Sequence, residues 1–371
     1  MVVRVGVVIG KMIGGGVESV VMNYYRHIDR SQIQFDFICD EDSTDIPRKE
    51  IEDLGGQVIL VPPYQKIGSY SKELYRIFKE NKYKIVHSHI NTLSVFPLSV
   101  AKLARVPIRI AHSHSTTNNS EMLKNLLKLI LRPTAKWSAN EYFTCSILAG
   151  KWLFGESTYD SGNVFLMNNA IDVEKFKFNA NQRAEKRKEL DIGENTLVIG
   201  HIGRFVEQKN HKFLLEIFAE LIKLKPDAIL ILAGQGPLEN DICKKIKSLG
   251  IESSVKLLGQ VSDVTFLYQT IDVFLLPSLY EGLPVVGVES QASGVLTVLS
   301  TAITEETKII DSTFFMSLEE SPEIWANQIY KSVNGIYRKD VSEEVRDNHF
   351  DIKYEANLLT EKYLSLLGKI D

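Results

Sequence analysis

Residues 272–300 read DVFLLPSLYEGLPVVGVESQASGVLTVLS, which predicts a strand, a loop, a helix and a second strand in succession. The runs 272–277 and 295–300 are apolar without polar alternation, as in strands that are buried on both faces of a parallel sheet. Between them, 278–283 is predicted to be a loop, and the proline that opens 284–293 suits the first turn of a helix. Parallel strands that are joined by a crossover helix indicate an α/β fold.

Apolar runs of strand length alternate with helical patterns over most of the chain. A helix is predicted at 211–225, where apolar residues share one face and Pro226 follows. The polar, charged stretch at 179–195 is typical of a domain boundary. Two doubly wound, Rossmann-like α/β domains that face a central cleft are therefore predicted. The runs lie at 2–9, 33–39, 57–61, 84–88, 107–113 and 142–146 in the first half, and at 197–203, 228–233, 255–259, 272–277 and 295–300 in the second.

The composition is that of a globular protein of about two domains, with 371 residues of which 24% are charged. The net charge of −4 gives no support for nucleic-acid binding. Cys39, Cys145 and Cys243 are scattered without a CxxC pair, so neither a disulfide framework nor a zinc site is predicted. A reducing, cytoplasmic compartment fits these cysteines. No apolar run is long enough to predict a membrane span.

Two acids, Glu281 and Glu289, flank the start of the predicted helix at 284–293. The unpaired amides at a helix N-terminus carry partial positive charge and suit an anion such as phosphate. Carboxylates accept hydrogen bonds from vicinal hydroxyls, so the two acids are candidates for binding the diols of a sugar or a ribose. The alternative for Glu281 alone is a solvated acid in a surface loop.

Two further loops follow predicted strands of the second half. The segment 201–210, HIGRFVEQKN, places Arg204 at a strand end and Lys209 just before the next helix. An arginine forks onto phosphate oxygens and a lysine adds a point charge, so the pair indicates a phosphate site. The loop AGQGPLE at 233–239 contains two glycines, which permit close backbone approach or simply form a turn.

Together these segments resemble the motifs of retaining glycosyltransferase family 4, of the bacterial exopolysaccharide and capsule type. Glu281 and Glu289 within EGLPVVGVESQASG resemble the family's paired glutamates, and HIGRFVEQKN, LAGQGPLE and PSLYEGLPVV also match. The resemblance covers nearly the whole chain and implies the GT-B fold. It implies an acceptor-side domain at 1–168 and a nucleotide-sugar-binding domain at 169–350. The helical segment 351–371 would pack back on the first domain, and packing on the second is the alternative.

The resemblance also implies roles for individual residues. Glu281 would bind hydroxyls of the donor sugar, and Glu289 would bind those of the ribose. Arg204 and Lys209 would hold the diphosphate as it leaves. The implied catalytic residues are His114, Arg204, Lys209 and Glu281, and the implied donor or nucleotide contacts are Gly15, Gly16, Gly203, Val261, Gly282, Leu283, Val285 and Glu289.

Four histidines lie at two predicted strand ends, in VHSHI and AHSHS. Such a cluster could hold a metal, but no nearby cysteine or acid completes a ligand set, and the family is metal-independent. We therefore expect neither a metal nor a cofactor. By resemblance His114 contacts the donor sugar, with His112 as the alternative, and His89 and His112 are acceptor-side candidates. The acidic stretch 40–42 mimics a metal motif of another glycosyltransferase fold and is predicted to be a solvated loop.

The function implied by the resemblance is transfer of a sugar, with retention, from a nucleoside-diphosphate sugar. The donor would be a UDP-sugar, and the acceptor a saccharide or a lipid-linked saccharide in extracellular or capsular polysaccharide synthesis. Two alternatives remain, a sugar-nucleotide epimerase of the same fold and a non-catalytic nucleotide-sugar-binding protein. The pair Glu281 and Glu289 argues against the first, and the presence of all four polar motif residues argues against the second.

A basic stripe is predicted in MLKNLLKLILRPTAKW at 122–137, where Lys124, Lys128, Arg132 and Lys136 recur every four residues. One interpretation is an ordinary amphipathic helix with its apolar side in the core. The sharper hypothesis is a contact between Lys124, Lys128 and Arg132 and an anionic membrane surface. Under that hypothesis the protein works in the cytoplasm at the inner face of the cell membrane.

Overall fold

The computed structural model describes residues 2–115, 131–261, 263–333 and 338–369. The chain separates into two compact units, each with its own parallel β-sheet. Unit 1 comprises Met1–Ala170 and Asp351–Asp371, and unit 2 is the continuous segment Ile171–Phe350. The predicted α/β fold class with two parallel-sheet domains is confirmed.

Unit 1 is built on a seven-stranded sheet in the order β3-β2-β1-β4-β5-β6-β7, and every described strand pair in it is parallel. The strand order reverses between β1 and β4, as in doubly wound sheets. β1 and β4 are almost wholly buried, as expected of strands at the centre of a parallel sheet. The strands are β1 (Val3–Gly10), β2 (Ile33–Asp40), β3 (Gln57–Val61), β4 (Ile85–Ser88), β5 (Ile108–Ser113), β6 (Glu141–Thr144) and β7 (Val164–Leu166).

The helices described in unit 1 connect these strands, and the helix Ile352–Leu367 joins them from the far end of the chain. That helix packs against the helix Gly16–His27 and buries Leu359, Tyr363 and Leu366. Its N-cap is Asp351, whose carboxylate accepts from the Lys353 amide. The other helices are Arg48–Asp53, Ile67–Asn81, Val95–Leu103, Ala135–Ser138, Ile147–Phe154 and Glu156–Asp160.

Unit 2 repeats the arrangement with a six-stranded sheet in the order β10-β9-β8-β11-β12-β13. Its described strand pairs are again parallel, and the order reverses between β8 and β11. Ligands of such sheets bind beyond the carboxyl ends of the strands at this reversal. The strands are β8 (Val198–Ile202), β9 (Ile229–Ala233), β10 (Val255–Gly259), β11 (Val273–Leu276), β12 (Leu296–Ser300) and β13 (Thr313–Met316).

The helices of unit 2 pack apolar faces on this sheet. The helix His211–Leu224 buries Leu214, Ile217, Phe218 and Leu221 at the spacing expected of one helical face. The described part of the chain contains no helix that is both long and apolar enough to cross a membrane. The other helices of unit 2 are Val173–Phe176, Ala180–Glu189, Glu239–Leu249, Thr265–Thr270, Val285–Ala292, Pro322–Val333 and Ser342–Asp347.

The apolar runs mark every strand of both sheets except β7 and β13. These two strands end their sheets and contain only three and four residues. An edge strand pairs on one side and buries less, so its sequence does not need a continuous apolar run. The helix predicted at 284–293 spans Val285–Ala292, with Pro284 as its N-cap residue.

Candidate active site

Two loops of unit 2 are tied together at the point where its strand order reverses. One follows β8 and includes Gln208, and the other follows β11 and includes Leu279 and Tyr280. The amide of Leu279 donates to the Gln208 carbonyl at 2.8 Å, and Nε2 of Gln208 donates to the Tyr280 carbonyl at 3.0 Å. Nδ2 of Asn210 adds a bond of 3.1 Å to the Pro277 carbonyl. The loops therefore form one preorganised surface beyond the strand ends.

Lys209 and Glu281 meet directly on this surface. Nζ of Lys209 lies 2.7 Å from Oε1 of Glu281, and the side chains are only 14% and 10% exposed. Oε2 of Glu281 accepts from Nε2 of Gln208 at 3.1 Å, and Oε1 also accepts from the Ser278 hydroxyl at 3.0 Å. The sequence places no base beside Glu281 within its own loop, but the fold supplies one from the neighbouring loop. A cation and a carboxylate are thus held side by side beyond the strand ends.

Glycines make room for this arrangement. A Cβ at Gly203 would lie 3.1 Å from Cε of Lys209 and 3.2 Å from Nε2 of His201, so a side chain there would push Lys209 aside. A Cβ at Gly234 would lie 2.0 Å from the Gly203 carbonyl oxygen, which no side chain can tolerate. The glycines of the loop at 233–239 therefore serve close backbone approach to the segment after β8, rather than a turn alone.

Arg204 lies at the end of β8 with its side chain exposed. Its guanidinium makes no ion pair or hydrogen bond with any residue that the structure describes. An exposed guanidinium in the same loop as Lys209 can fork onto the oxygens of a phosphate without first breaking an internal bond.

The helix Val285–Ala292 starts beside Glu281. Its first amides have no acceptor within the helix, because the first turn of any helix lacks one. Leu283 and Val285 are buried, and Gly282 is half-buried. The backbone at this helix start can therefore donate to an anion, as the sequence predicts.

Glu289 lies inside the same helix and is only 9% exposed. Oε2 of Glu289 lies 2.9 Å from the hydroxyl of Tyr268, which is fully buried. Burial raises the pKa of Glu289 to about 7, while the bond from Tyr268 and the charge of Lys175 act in the opposite direction. The carboxylate can accept hydrogen bonds from a diol when it is ionised, above this pKa.

In unit 1, the Glu18 carboxylate accepts hydrogen bonds from backbone amides of the glycine-rich loop after β1. Its Oε1 accepts from the Ile13 amide at 2.9 Å, and its Oε2 accepts from the Gly15 amide. Gly15 is the N-cap of the helix Gly16–His27, and a Cβ at Gly16 would meet nothing within 4 Å. Glu18 therefore shapes the loop, and open space remains beside Gly16.

Four histidines at the carboxyl ends of β4 and β5 form one buried cluster in unit 1. His87 is hydrogen-bonded through Nδ1 to the Tyr363 hydroxyl at 2.7 Å and through Nε2 to His112 Nδ1 at 3.1 Å. His89 Nδ1 is hydrogen-bonded to His114 Nε2 at 2.9 Å. Burial lowers the pKa of His114 to about 3 and lowers the pKa of the other three as well, so all four rings are neutral at pH 7.

Three histidines of this cluster are close enough to one another to hold a metal ion. Nitrogens of His87, His89 and His112 lie within 4.8 Å of one another, close enough to share a metal ion. In this structure, however, two of these nitrogens bond each other, and a third bonds His114. The expectation of a metal-free site stays a prediction.

The remaining predicted residues are less engaged or lie outside the described ranges. In the acidic stretch 40–42, Glu41 pairs with Lys66 and Asp42 with Lys11, as expected of a solvated loop, but the prediction is wrong for Asp40, which ends β2 and is buried. Val261 follows β10 and is half-buried. Within the basic stripe, Lys124 and Lys128 lie outside the described residues, whereas Arg132 is half-buried 5.8 Å from the Trp152 ring.

Four residues that hold candidate side chains in place were not identified from the sequence: Gln208, Tyr268 and Ser278 in unit 2, and Tyr363 in unit 1. Gln208 adjoins Lys209, and Ser278 follows β11. Both would have been found if every polar residue in the loops after β8 and β11 had been treated as a candidate. The roles of Tyr268 and Tyr363 depend on contacts over 21 and 276 positions, which no local pattern reveals.

Comparisons with known proteins connect this geometry to one family. The model for "Glycosyltransferase Family 4" matches residues 14–175, and the model for "Glycosyl transferases group 1" matches residues 182–346. The glycosyltransferase EpsF of Bacillus subtilis is 36% identical over 335 residues, which cover 89% of this chain and 87% of EpsF.

Two further relatives and one solved structure are similar over most of the chain. The Escherichia coli UDP-Gal:alpha-D-GlcNAc-diphosphoundecaprenol alpha-1,3-galactosyltransferase is 27% identical, over 77% of this chain and 76% of its own. The capsular polysaccharide biosynthesis glycosyltransferase CapH of Staphylococcus aureus is 26% identical, over 98% and 99%. The crystal structure of HepE from Anabaena in complex with UDP-glucose has a TM-score of 0.77 at 19% identity, covering 97% of this chain and 99% of that one.

Proposed function

Because the chain belongs to glycosyltransferase family 4, we propose that it transfers a sugar with retention from a nucleoside-diphosphate sugar. The proposed donor is a UDP-sugar, and the proposed acceptor is a saccharide or a lipid-linked saccharide in extracellular or capsular polysaccharide synthesis. Support for the donor comes from the UDP-glucose complex of HepE and the UDP-galactose named for the E. coli relative. The same relative supports a lipid-linked acceptor, and CapH supports a role in capsular polysaccharide synthesis.

The observation that carries the proposal is the surface beyond β8 and β11 in unit 2. Support for a diphosphate site comes from the exposed guanidinium of Arg204 and the ammonium of Lys209, two positive charges in the loop that follows β8. A preorganised charge such as the ammonium of Lys209, which Glu281 holds in place, stabilises a transition state strongly because it needs little reorganisation during the reaction. Glu281 is held by Lys209, Gln208 and Ser278, which suits an acceptor of sugar hydroxyls better than a free nucleophile.

The proposed reaction breaks the bond between the anomeric carbon and the diphosphate oxygen and forms a bond from that carbon to an acceptor hydroxyl. The leaving diphosphate takes the proton of the acceptor hydroxyl. No metal is needed in this scheme, because Arg204, Lys209 and the amides at the start of the helix Val285–Ala292 supply the positive charge.

A donor screen tests this function. Purified protein should consume one UDP-sugar and release UDP only when a lipid-linked saccharide acceptor is present, with the product identified by mass spectrometry and its anomeric configuration by NMR. The rate should be the same in EDTA as in magnesium, with Lys209→Ala as the inactive control. Conversion of the donor into an epimeric sugar without acceptor would indicate an epimerase, and loss of activity in EDTA that magnesium or manganese restores would contradict metal independence.

We expect Glu289→Gln to weaken binding of UDP by about 10–100-fold, since a hydrogen bond to a charged group contributes about 1.5–3 kcal/mol. Glu281→Gln should weaken it much less, because removing the charge at 281 frees Lys209 to contact the diphosphate. Calorimetry with UDP alone measures both. Glu220→Gln, at a solvated acid of the helix His211–Leu224, is the control, and a larger loss at Glu281 than at Glu289 would reverse the two roles.

We also propose that Lys124, Lys128 and Arg132 bind an anionic membrane surface. Support comes from the described residues next to this stripe. Trp137 and Leu103 are each 72% exposed, and an exposed tryptophan is typical of a membrane–water interface. They line a shallow, mostly apolar groove of about 430 Å³ together with Val95, Ser99, Lys102 and Thr134.

Liposome sedimentation should show binding to anionic vesicles that falls with salt. A Lys124/Lys128/Arg132→Gln triple variant should bind about 100-fold more weakly, because each basic residue near an anionic surface contributes about 1 kcal/mol. The matched control removes three exposed charges elsewhere in unit 1, by Lys72/Lys79/Lys82→Gln. Equal binding by both triple variants, or no binding by the wild type, would leave the stripe a solvated face.

A further inference from the structure

The Glu289 carboxylate is held by a tyrosine from a neighbouring helix of unit 2. The hydroxyl of Tyr268 lies 2.9 Å from Oε2 of Glu289 and 3.2 Å from the Val286 carbonyl oxygen. Among the residues that the structure describes, Oε1 of Glu289 makes no hydrogen bond. One carboxylate oxygen is thus anchored and the other is left for a ligand.

Tyr268 is itself fixed on several sides. Its ring packs against Phe176, with 5.7 Å between ring centroids, and against Phe274, with 5.9 Å. Its backbone carbonyl accepts from Nη2 of Arg338 at 2.8 Å. Arg183 donates to the next three carbonyls, at the end of the same helix. A guanidinium at a helix C-terminus satisfies carbonyls that would otherwise lack donors, so the helix cannot easily shift and carry the tyrosine away.

The tyrosine can satisfy Glu289 in both protonation states. When Glu289 is ionised, the single phenolic proton is donated to Oε2, the closer and charged acceptor. When Glu289 is protonated, its O–H donates to the phenolic oxygen, and the phenolic proton turns to the Val286 carbonyl. Only in the ionised state do both oxygens of Glu289 act as acceptors, which is the state that a diol needs.

We propose that Tyr268 is a positioning residue that orients the Glu289 carboxylate to accept the hydroxyls of the nucleotide ribose. The proposal rests on the assignment of Glu289 to the ribose in the proposed function. A fixed carboxylate loses little rotational freedom when the diol binds, so preorganisation by Tyr268 strengthens nucleotide binding. Residue 268 thereby sets both the affinity for the nucleotide and its dependence on pH.

The surroundings of Glu289 determine the sign of that dependence. Burial raises the pKa of Glu289 to about 7, the bond from Tyr268 lowers it, and the positive charge of Lys175 also lowers it. UDP affinity should therefore rise as the pH increases through about 7. The charged side chains on the two helices that pack against Val285–Ala292 are Glu174, Lys175, Glu343, Glu344, Arg346 and Asp347.

Calorimetry with UDP between about pH 5.5 and 8.5 tests the proposal on the full-length protein. Tyr268→Phe should bind about tenfold more weakly at neutral pH, and the midpoint of its affinity curve should lie about one pH unit higher, because the ionised form loses a donor. Glu289→Gln should lose the pH-dependent step that the wild type shows. The matched control is Tyr25→Phe, which removes a buried hydroxyl bonded to Gln34 at 2.7 Å in unit 1, and it should match the wild type.

The results for Glu289→Gln and Tyr268→Phe distinguish a failure of the ribose assignment from a failure of the positioning role of Tyr268. If Glu289→Gln weakens UDP binding but Tyr268→Phe keeps the wild-type affinity and midpoint, the positioning role is wrong and the proposed function stands. If Glu289→Gln itself changes nothing, both the ribose assignment and the role of Tyr268 are wrong. Tyr268→3-fluorotyrosine guards against a folding defect: its more acidic hydroxyl donates more strongly and should move the midpoint to lower pH. An unchanged midpoint there would also overturn the proposal.

Discussion

Arg204→Ala and Lys209→Ala should each lower kcat by about 100–1,000-fold, the loss of about 2.7–4 kcal/mol that is typical when one donor to a developing negative charge is removed. Arg204 is exposed just after β8, and Lys209 lies in the same loop, which we propose binds the leaving diphosphate. Steady-state kinetics with the donor found in the screen provide the measurement. The control is Lys212→Ala, which removes an exposed charge three positions further on.

The contact between Lys209 and Glu281 requires a second variant. Lys209→Ala leaves a nearly buried carboxylate without its cation, and that stranded charge could repel the diphosphate by itself. In Lys209→Ala/Glu281→Gln the stranded charge is gone. The single variant Glu281→Gln gives the baseline: a kcat of the double variant far below that of Glu281→Gln assigns the loss to the missing ammonium, whereas a kcat equal to that of Glu281→Gln assigns it to the stranded carboxylate. Near-normal kcat in Arg204→Ala and Lys209→Ala, with the fold intact, would contradict the proposed site.

Asp272→Ala should destabilise unit 2 by about 3–5 kcal/mol, because it removes one partner of a largely buried ion-pair group. Asp272 is ion-paired with both Arg183 and Arg187, and it accepts from the Val198 amide at 2.8 Å. Arg187 has a side chain that is only 4% exposed, so its charge would be left with little solvent to stabilise it. For a domain of this size, the melting temperature should fall by about 6–20 °C.

Thermal unfolding followed by circular dichroism measures this effect. Glu220→Ala breaks an ion pair of 2.7 Å with Lys223 on the surface of the helix His211–Leu224, and it should cost at most about 1 kcal/mol. Similar melting temperatures for Asp272→Ala and Glu220→Ala would mean that the arginines around Asp272 are satisfied by backbone carbonyls alone.

The fold was largely accessible from the sequence because buried parallel strands need continuous apolar runs. The two strands that the runs miss, Val164–Leu166 and Thr313–Met316, lie at sheet edges, where one side remains unpaired. The resemblance to glycosyltransferase family 4 is confirmed by the family models and by EpsF. The resemblance depends on short motifs in the loops after strands, where residues are selected for binding and catalysis as well as for packing.

The internal contacts of the site were less accessible. Periodicity places Lys209 and Glu281 at two strand ends, but only the pairing of β8 with β11 brings these ends together. The sequence also gives no reason to expect that His87 is bonded by Tyr363, because that contact spans almost the whole chain. The raised pKa of Glu289 was also not predictable from the sequence. It results from burial of the carboxylate in the folded domain, which the neighbouring residues in the sequence do not reveal.

Unit 1 is formed by two separate segments of the chain, and this affects the order in which the two domains can finish folding. Unit 2 is continuous, from Ile171 to Phe350, so a ribosome has synthesised all of it before the helix Ile352–Leu367 exists. Domains generally fold as units while the chain grows. Unit 1 is therefore the first domain to begin and the last to be completed. The helix Ile352–Leu367 must be synthesised before it can pack on the helix Gly16–His27 and before Tyr363 can bond His87. During translation, the nascent first domain therefore exposes apolar surface for longer than the second, and it is the part that chaperones would need to protect.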